Sequence, residues 1–337
     1  MLKISTAPHT GSVTDTQTLM RDVVIALIPA ALVAVAFFGI GALKVIFTSV
    51  AACVMWEYLV VRYLFRKPST INNFSAIITG LLLAFNLPST MPSWMILIGA
   101  FVAIVIAKMA FGGLGKNLFN PALVGRVFLF ISFPVQMTLW AKPDWKNFLN
   151  VDVQTGATTL GILKHLDAST SATSLTHGNS ALAEIPNYWD MFIGYTGGSL
   201  GEVSALALLL GLFYMLWRKV ITWHIPFYYI GTVFLLTGIM WLITKDVRYE
   251  PVTHLLSGGL MLGAIFMATD YVTSPMSQKG KIIFAIGCGL LTVIIRLYSA
   301  YPEGVSFAIL IMNALVWLID RHTAPRRFGV KKGGAAK

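Results

Sequence analysis

Long apolar runs, separated by short polar or basic stretches, set the pattern of this chain. A helix needs about 20 mostly apolar residues to cross the hydrocarbon core of a bilayer. Ten runs meet or approach that length: 22–41, 43–65, 74–87, 94–110 and 119–138, then 203–217, 224–243, 254–269, 282–297 and 305–319. The pattern predicts an all-α integral membrane fold with about ten transmembrane helices. Residues 1–20 are polar and hold no apolar core followed by a cleavage site, so the first run is expected to remain as a membrane helix.

The basic residues predict the orientation, because cytoplasmic connections carry an excess of Lys and Arg. Arg62, Arg66 and Lys67 follow the second run, and Lys108 and Lys116 surround the end of the fourth. Arg218 and Lys219 follow the sixth, and Lys279 and Lys281 follow the eighth. Arg321, Arg326, Arg327, Lys331 and Lys332 follow the tenth. All stand after even-numbered runs, which places both termini in the cytoplasm and the connection 139–202 outside. Lys245 and Arg248 oppose the rule, in the company of Asp246 and Glu250.

Five runs precede the long connection and five follow it. Gly80-Leu81-Leu82-Leu83-Ala84-Phe85 in the third resembles Gly259-Leu260-Met261-Leu262-Gly263-Ala264 in the eighth. Both runs are short, and each ends in a turn marked by Pro or Asp: Asn86-Leu87-Pro88 in one, Thr269-Asp270 and then Pro275 in the other. Gly112-Gly113-Leu114-Gly115 precedes the fifth run as Tyr301-Pro302-Glu303-Gly304 precedes the tenth. An odd number of spans per half makes the halves inverted. The expected organisation is two inverted five-helix repeats, 1–138 and 203–337, around a periplasmic loop at 139–202. Paired short helices in inverted halves point to a binding site near their interface. Chance similarity between Leu- and Gly-rich helices is the competing explanation.

Composition narrows the functional classes. Of 337 residues, 56% are hydrophobic and 12% charged, against roughly a quarter charged in soluble domains, which leaves no room for a sizeable soluble domain. The net charge of +11 is accounted for by basic clusters between apolar runs, and no nucleic-acid surface is apparent. Cys53 and Cys288 lie in apolar runs without metal-ligand spacing and read as small buried side chains.

The connection 139–202 contains Asp152-Val153-Gln154-Thr155-Gly156-Ala157-Thr158-Thr159-Leu160. This Asp-x-x-Ser/Thr-Gly-Ala-Ser/Thr-x-Leu pattern resembles the flavinylation motif of the RnfD/NqrB family, membrane subunits of the Rnf complex and of the sodium-pumping NADH:quinone oxidoreductase. Phe111–Ala122, Ile131–Met137, Trp223-His224-Ile225-Pro226, Met267-Ala268-Thr269-Asp270 and Tyr301-Pro302-Glu303-Gly304 look like further family elements in the family's order. The resemblance covers nearly the whole chain. The length and the phrases at 132–137 and 223–226 lean towards RnfD, while Gly156 is common in NqrB.

The resemblance implies covalent FMN, esterified through its phosphate to the hydroxyl of Thr158 by a periplasmic flavin transferase. Thr155, Gly156 and Ala157 would form a small, flexible approach exposing that hydroxyl, and Asp152 would present it or simply cap a turn. It also implies a second, noncovalent flavin, riboflavin, at Asn117 and Asn120. The same Asn-x-x-Asn-Pro run reads equally well as the end of a loop and the start of a helix, with Pro121 in an early position.

Ionisable residues inside spans are functional candidates by default. Glu57 and Asp270 are candidates for an ion path, with Arg126 and Arg296 as their expected partners. Lys108 and Asp320 stand close enough to span ends to reach the interface. Trp94, Trp140, Trp217 and Trp223 read as interface anchors. The implied function is that of an electron-carrying subunit of an Rnf-type ferredoxin:NAD oxidoreductase complex in a bacterial inner membrane, coupled to Na⁺ or H⁺ movement. Its partners would be the other subunits, notably a periplasm-facing flavoprotein. The alternatives are an NqrB-type subunit and a flavin-free secondary transporter.

Overall fold

The computed structural model describes residues 15–67, 70–143, 155–165, 186–202, 204–299 and 303–324. They form helices throughout, and the sole bridge between extended residues among them pairs Ala141 with Thr155. Four helical stretches are long and apolar enough to cross a membrane: Thr16–Leu64, His224–Thr244, Gln278–Tyr298 and Val305–Thr323. Shorter apolar helices occupy Ser75–Phe85, Ser93–Met109, Pro121–Ser132 and Ala205–Trp217. The chain is a multi-pass membrane protein, and large apolar side chains such as Phe47, Phe213 and Ile243 are more than two-thirds exposed on its outside, as lipid-facing side chains are.

Each predicted run lies on helix. The first two share Thr16–Leu59, whose 44 residues would extend about 66 Å if straight, twice the thickness of a bilayer core. Gly39 interrupts it with φ 58° and ψ −140°, a conformation that a side chain would strongly disfavour. Residues 16–38 and 40–59 are therefore two helices, each about long enough to span.

Local chemistry fixes the helix starts. Asn120 accepts at its side-chain oxygen from the backbone N–H of Ala122 and Leu123, with Pro121 at the first helical position. Ser204 and Ser277 cap their helices in the same way. Small residues let the helices meet closely. A Cβ on Gly80 would stand 2.7 Å from the Val50 Cα, and one on Gly211 2.5 Å from the Ala26 carbonyl oxygen. The second contact ties the two halves together.

The eighth run is interrupted. Pro251–Leu256 ends at Ser257, Gly258 and Gly259 follow with φ of 72° and 66°, and helix resumes at Leu260. The stretches that resemble each other in sequence differ here, since Gly80 lies within a continuous helix whereas Gly259 forms part of the break. The third run instead stops at Phe85, and the segment before the Ala205 helix bonds to its end. The N–H of Gly201 donates to the Phe85 carbonyl at 2.8 Å, and that of Leu200 to Leu87 at 3.2 Å.

Three helix stretches widen into π-helix, at Val60–Leu64, Val102–Met109 and Gly263–Met267. Such segments concentrate at functional sites, and the second and third contribute Lys108 and Phe266 to the walls of one cleft.

Candidate functional site

A cleft opens between the halves, lined by residues of both. Its walls are mostly apolar, with Leu82, Phe266 and Val220 among them, and its polar groups include Ser75, Lys108, Asn117, Asn120, Thr269 and Asp270. Asp270 is thus brought together with Asn117 and Asn120, from which it is far in sequence.

Asn120 serves both readings of its motif. Its oxygen caps the Pro121 helix, while Nδ2 donates to the Met267 carbonyl at 3.2 Å, across to the other half. Asn313, with its amide oriented to satisfy both sides, accepts from the Asn120 N–H at 3.2 Å and donates to the Thr273 carbonyl at 3.0 Å. Asn117 Nδ2 donates to the Phe119 carbonyl at 3.1 Å. The Asp270 carboxylate accepts from the Thr273 hydroxyl at 3.2 Å, and among the described residues it has no ion-pair partner.

The expected partners of these acids are different ones. Glu57 pairs with Lys108 at 2.6 Å, both nearly fully buried, and accepts from the Thr70 hydroxyl at 2.8 Å on its other oxygen. Lys108 also donates to Ser75 at 2.8 Å. It does not reach for the interface, because an ammonium at this depth needs a carboxylate and Glu57 supplies one. Arg126 pairs instead with Glu303, and donates to Asn86 at 2.9 Å and Ser306 at 2.5 Å. Arg296 holds the break in the eighth run, donating to the carbonyls of His254 (2.6 Å), Ser257 (2.8 Å) and Gly258 (3.1 Å). Asp320 accepts from the Met276 N–H at 3.1 Å.

Thr158 lies on the other side of this break. Thr155 pairs with Ala141, and the Gly156 N–H donates to the Trp140 carbonyl at 3.0 Å. Trp140 is buried and is no interface anchor, whereas Trp94, Trp217 and Trp223 are at least half exposed. Thr155 and Ala157 are exposed, but Thr158 is buried. Its hydroxyl accepts from the Gly161 N–H at 3.1 Å and caps the short helix Thr159–His165, so the expected free hydroxyl is engaged as a helix cap. Asp152 lies outside the described residues. Thr158 faces a cavity of about 270 Å³ shared with Thr196, Glu202, Ser257, Gly258 and Glu303. Burial pushes the Glu303 carboxyl up, to about 7, against the pull of Arg126.

Two features were not singled out by sequence reasoning as part of this site: Glu202 beside Thr158, and the Arg126–Glu303 pair, which joins residues 177 apart. The weak signal for Glu303 was its Pro-Glu-Gly element before the tenth run.

The profile of the NQR2, RnfD, RnfE family matches residues 3–329. The chain is 46% identical, over 98% of its length and 96% of the relative's, to the D subunit of the proton-translocating ferredoxin:NAD(+) oxidoreductase complex of Clostridium ljungdahlii. It is 44% identical, with the same coverage, to the Na(+)-translocating counterpart of Acetobacterium woodii. It is also 38% identical, over 99% of the chain and the whole relative, to the D subunit of the ion-translocating oxidoreductase complex of Escherichia coli.

Proposed function

The chain belongs to the NQR2, RnfD, RnfE family, and from that premise we propose that it is the RnfD-type membrane subunit of an ion-translocating ferredoxin:NAD⁺ oxidoreductase complex. Similarity along the whole chain to subunits of that kind supports the reading. So does one structural observation above the others: the cleft between the halves gathers Asn117, Asn120 and Asp270, which the sequence spreads over 150 residues.

In this reading Thr158 carries FMN through its hydroxyl, attached by a flavin transferase, and the cleft takes noncovalent riboflavin. Flavins supply one- and two-electron transfer at their rings. The chain's residues supply place and field. Asn117 and Asn120 offer amide donors and acceptors suited to an isoalloxazine edge. Lys108 and Ser75 give the same cleft buried hydrogen-bonding groups in its wall. Asp270, lacking a cationic partner among the described residues, is the carboxylate best placed to take Na⁺ or H⁺. Glu57 belongs to the same path, held by Lys108 until that pair is disturbed. Both termini would be cytoplasmic, residues 139–202 periplasmic and the halves inverted, in a bacterial inner membrane. Electrons would be exchanged with a periplasm-facing flavoprotein subunit and with neighbouring membrane subunits.

The interrupted eighth run also suits a secondary transporter. Ultraviolet in-gel fluorescence after denaturing electrophoresis separates the two, using chain co-expressed with a flavin transferase beside its Thr158→Ala variant. The redox reading predicts a flavin band in the first and none in the second. A dark band in both leaves the transporter.

A further inference from the structure

A second cavity adjoins the one that Thr158 faces. Its apolar wall is Leu160, Leu163 and Leu297, and its polar wall is Lys164, Arg248, His254 and Arg296. Leu160 borders both this cavity and the smaller one that Thr158 faces. Among the described residues no carboxylate lines it, and Asp246 pairs with Arg248.

Two buried polar atoms of these wall residues have no partner among the described residues. Arg296 uses both terminal nitrogens on backbone carbonyls, which leaves its Nε–H donor unmatched. His254 contacts the Arg248 carbonyl at 2.8 Å through Nε2; a carbonyl only accepts, so that nitrogen carries the proton and Nδ1 is an unmatched acceptor. Buried polar groups in native proteins are nearly always satisfied, and an orphan calls for an explanation. One orphan donor and one orphan acceptor, in a cavity walled by cations, describe a ligand edge that both accepts and donates and carries or gains negative charge.

The charge pattern along the chain points the same way. Arg248 is one of two basic residues that oppose the positive-inside rule. It sits where topology alone would not favour a cation, and the structure places it on this wall with Arg296 and Lys164. Lys164 donates to the Ser299 carbonyl, and burial pushes its ammonium down from the usual lysine value.

We propose that this basic cavity seats the pyrimidine edge of the flavin joined to Thr158, with Lys164, Arg248 and Arg296 as positioning residues that favour its reduced form. The inference rests on the reading of Thr158 given above. The edge offers an N–H donor between two carbonyl acceptors, which complements the His254 acceptor and the Arg296 donor. Reduction adds negative charge to that edge, and cations near it stabilise the charge.

The test is a spectroelectrochemical titration of the full chain co-expressed with a flavin transferase, with Thr158→Ala chain as the baseline that isolates this flavin. Lys164→Gln with Arg248→Gln is compared with the charge-keeping Lys164→Arg with Arg248→Lys. At fixed ambient potential the neutral pair is expected to raise the oxidised-to-reduced ratio about tenfold, which is about 30 mV for a two-electron couple. The charge-keeping pair is expected to stay near wild type, and in-gel flavin fluorescence to persist in both. Should the doubly neutral chain fail to accumulate, each single Gln variant carries the same comparison with a smaller shift in the same direction. A flavin present on Thr158 with an unchanged ratio overturns the cavity assignment alone. Wild-type chain without flavin on Thr158 overturns that assignment and the functional reading together.

Discussion

The Glu57–Lys108 pair allows a quantitative check on how this membrane fold is held. Both side chains are about 2–3% exposed and 2.6 Å apart. The carboxylate is completed by the Thr70 hydroxyl and the ammonium by Ser75, so each charge has two partners. Removing one member of such a pair strands the other charge in a low-dielectric interior, a cost of about 3–5 kcal/mol. Replacing both with apolar or neutral groups of similar size removes both desolvation penalties and is often neutral or stabilising. Lys108→Met and Glu57→Gln should therefore each destabilise strongly, Lys108→Met the more because it leaves a bare carboxylate. The double variant should return to within about 1–2 kcal/mol of wild type. Unfolding of the detergent-solubilised chain, followed by tryptophan fluorescence against denaturant, gives the four corners of the cycle. Single variants that lie within about 1 kcal/mol of wild type, or a double variant equal to the sum of the singles, would refute the reasoning. The same double variant separates fold from function, since it should restore stability while leaving the cleft without its ammonium.

Three further outcomes follow from the geometry. Asp270→Asn should lower ion movement by reconstituted complex at least about tenfold, roughly 1.4 kcal/mol in coupling, with flavin content unchanged in extracts. Asn120→Ala removes a helix cap, costing about 1 kcal/mol, together with the Nδ2 bond to Met267; it should abolish acid-extractable riboflavin and leave the covalent flavin in place. Gly258→Ala puts a side chain at φ 72°, where its Cβ would run into Leu160 and Arg296, so it should lower the thermal midpoint and the yield of flavinylated chain, both read from one fluorescence-detected gel-filtration melt.

Most of the secondary structure could be read in the sequence because lipid imposes one solution on an apolar run, a helix with its backbone bonds closed internally. All ten runs lie on helix, and the Asn120-Pro121 start appears where the motif puts it. Tertiary pairing was less legible. Arg126 and Arg296 carry no mark in sequence that assigns one to Glu303 and the other to backbone carbonyls. That choice depends on which helices cross at that depth. Lys108 looked like an interfacial residue because its distance from the span end fits either fate, and within the π-helix Val102–Met109 it is buried against Glu57. Trp140 followed the interfacial habit of tryptophan by position, yet it is buried, with its backbone carbonyl bonded to the Gly156 N–H. Thr158 was singled out by its neighbours in sequence, whereas its helix-capping bond depends on the short helix that follows.

Thr158 is the residue on which the account turns. Peptide mass mapping of the chain purified after co-expression with a flavin transferase tests it most directly. The account predicts that the peptide containing Thr158 gains the mass of FMN less one water, and that fragmentation localises the gain to Thr158. The same peptide at its unmodified mass, from a membrane fraction whose transferase is shown to be active on another substrate, would contradict it.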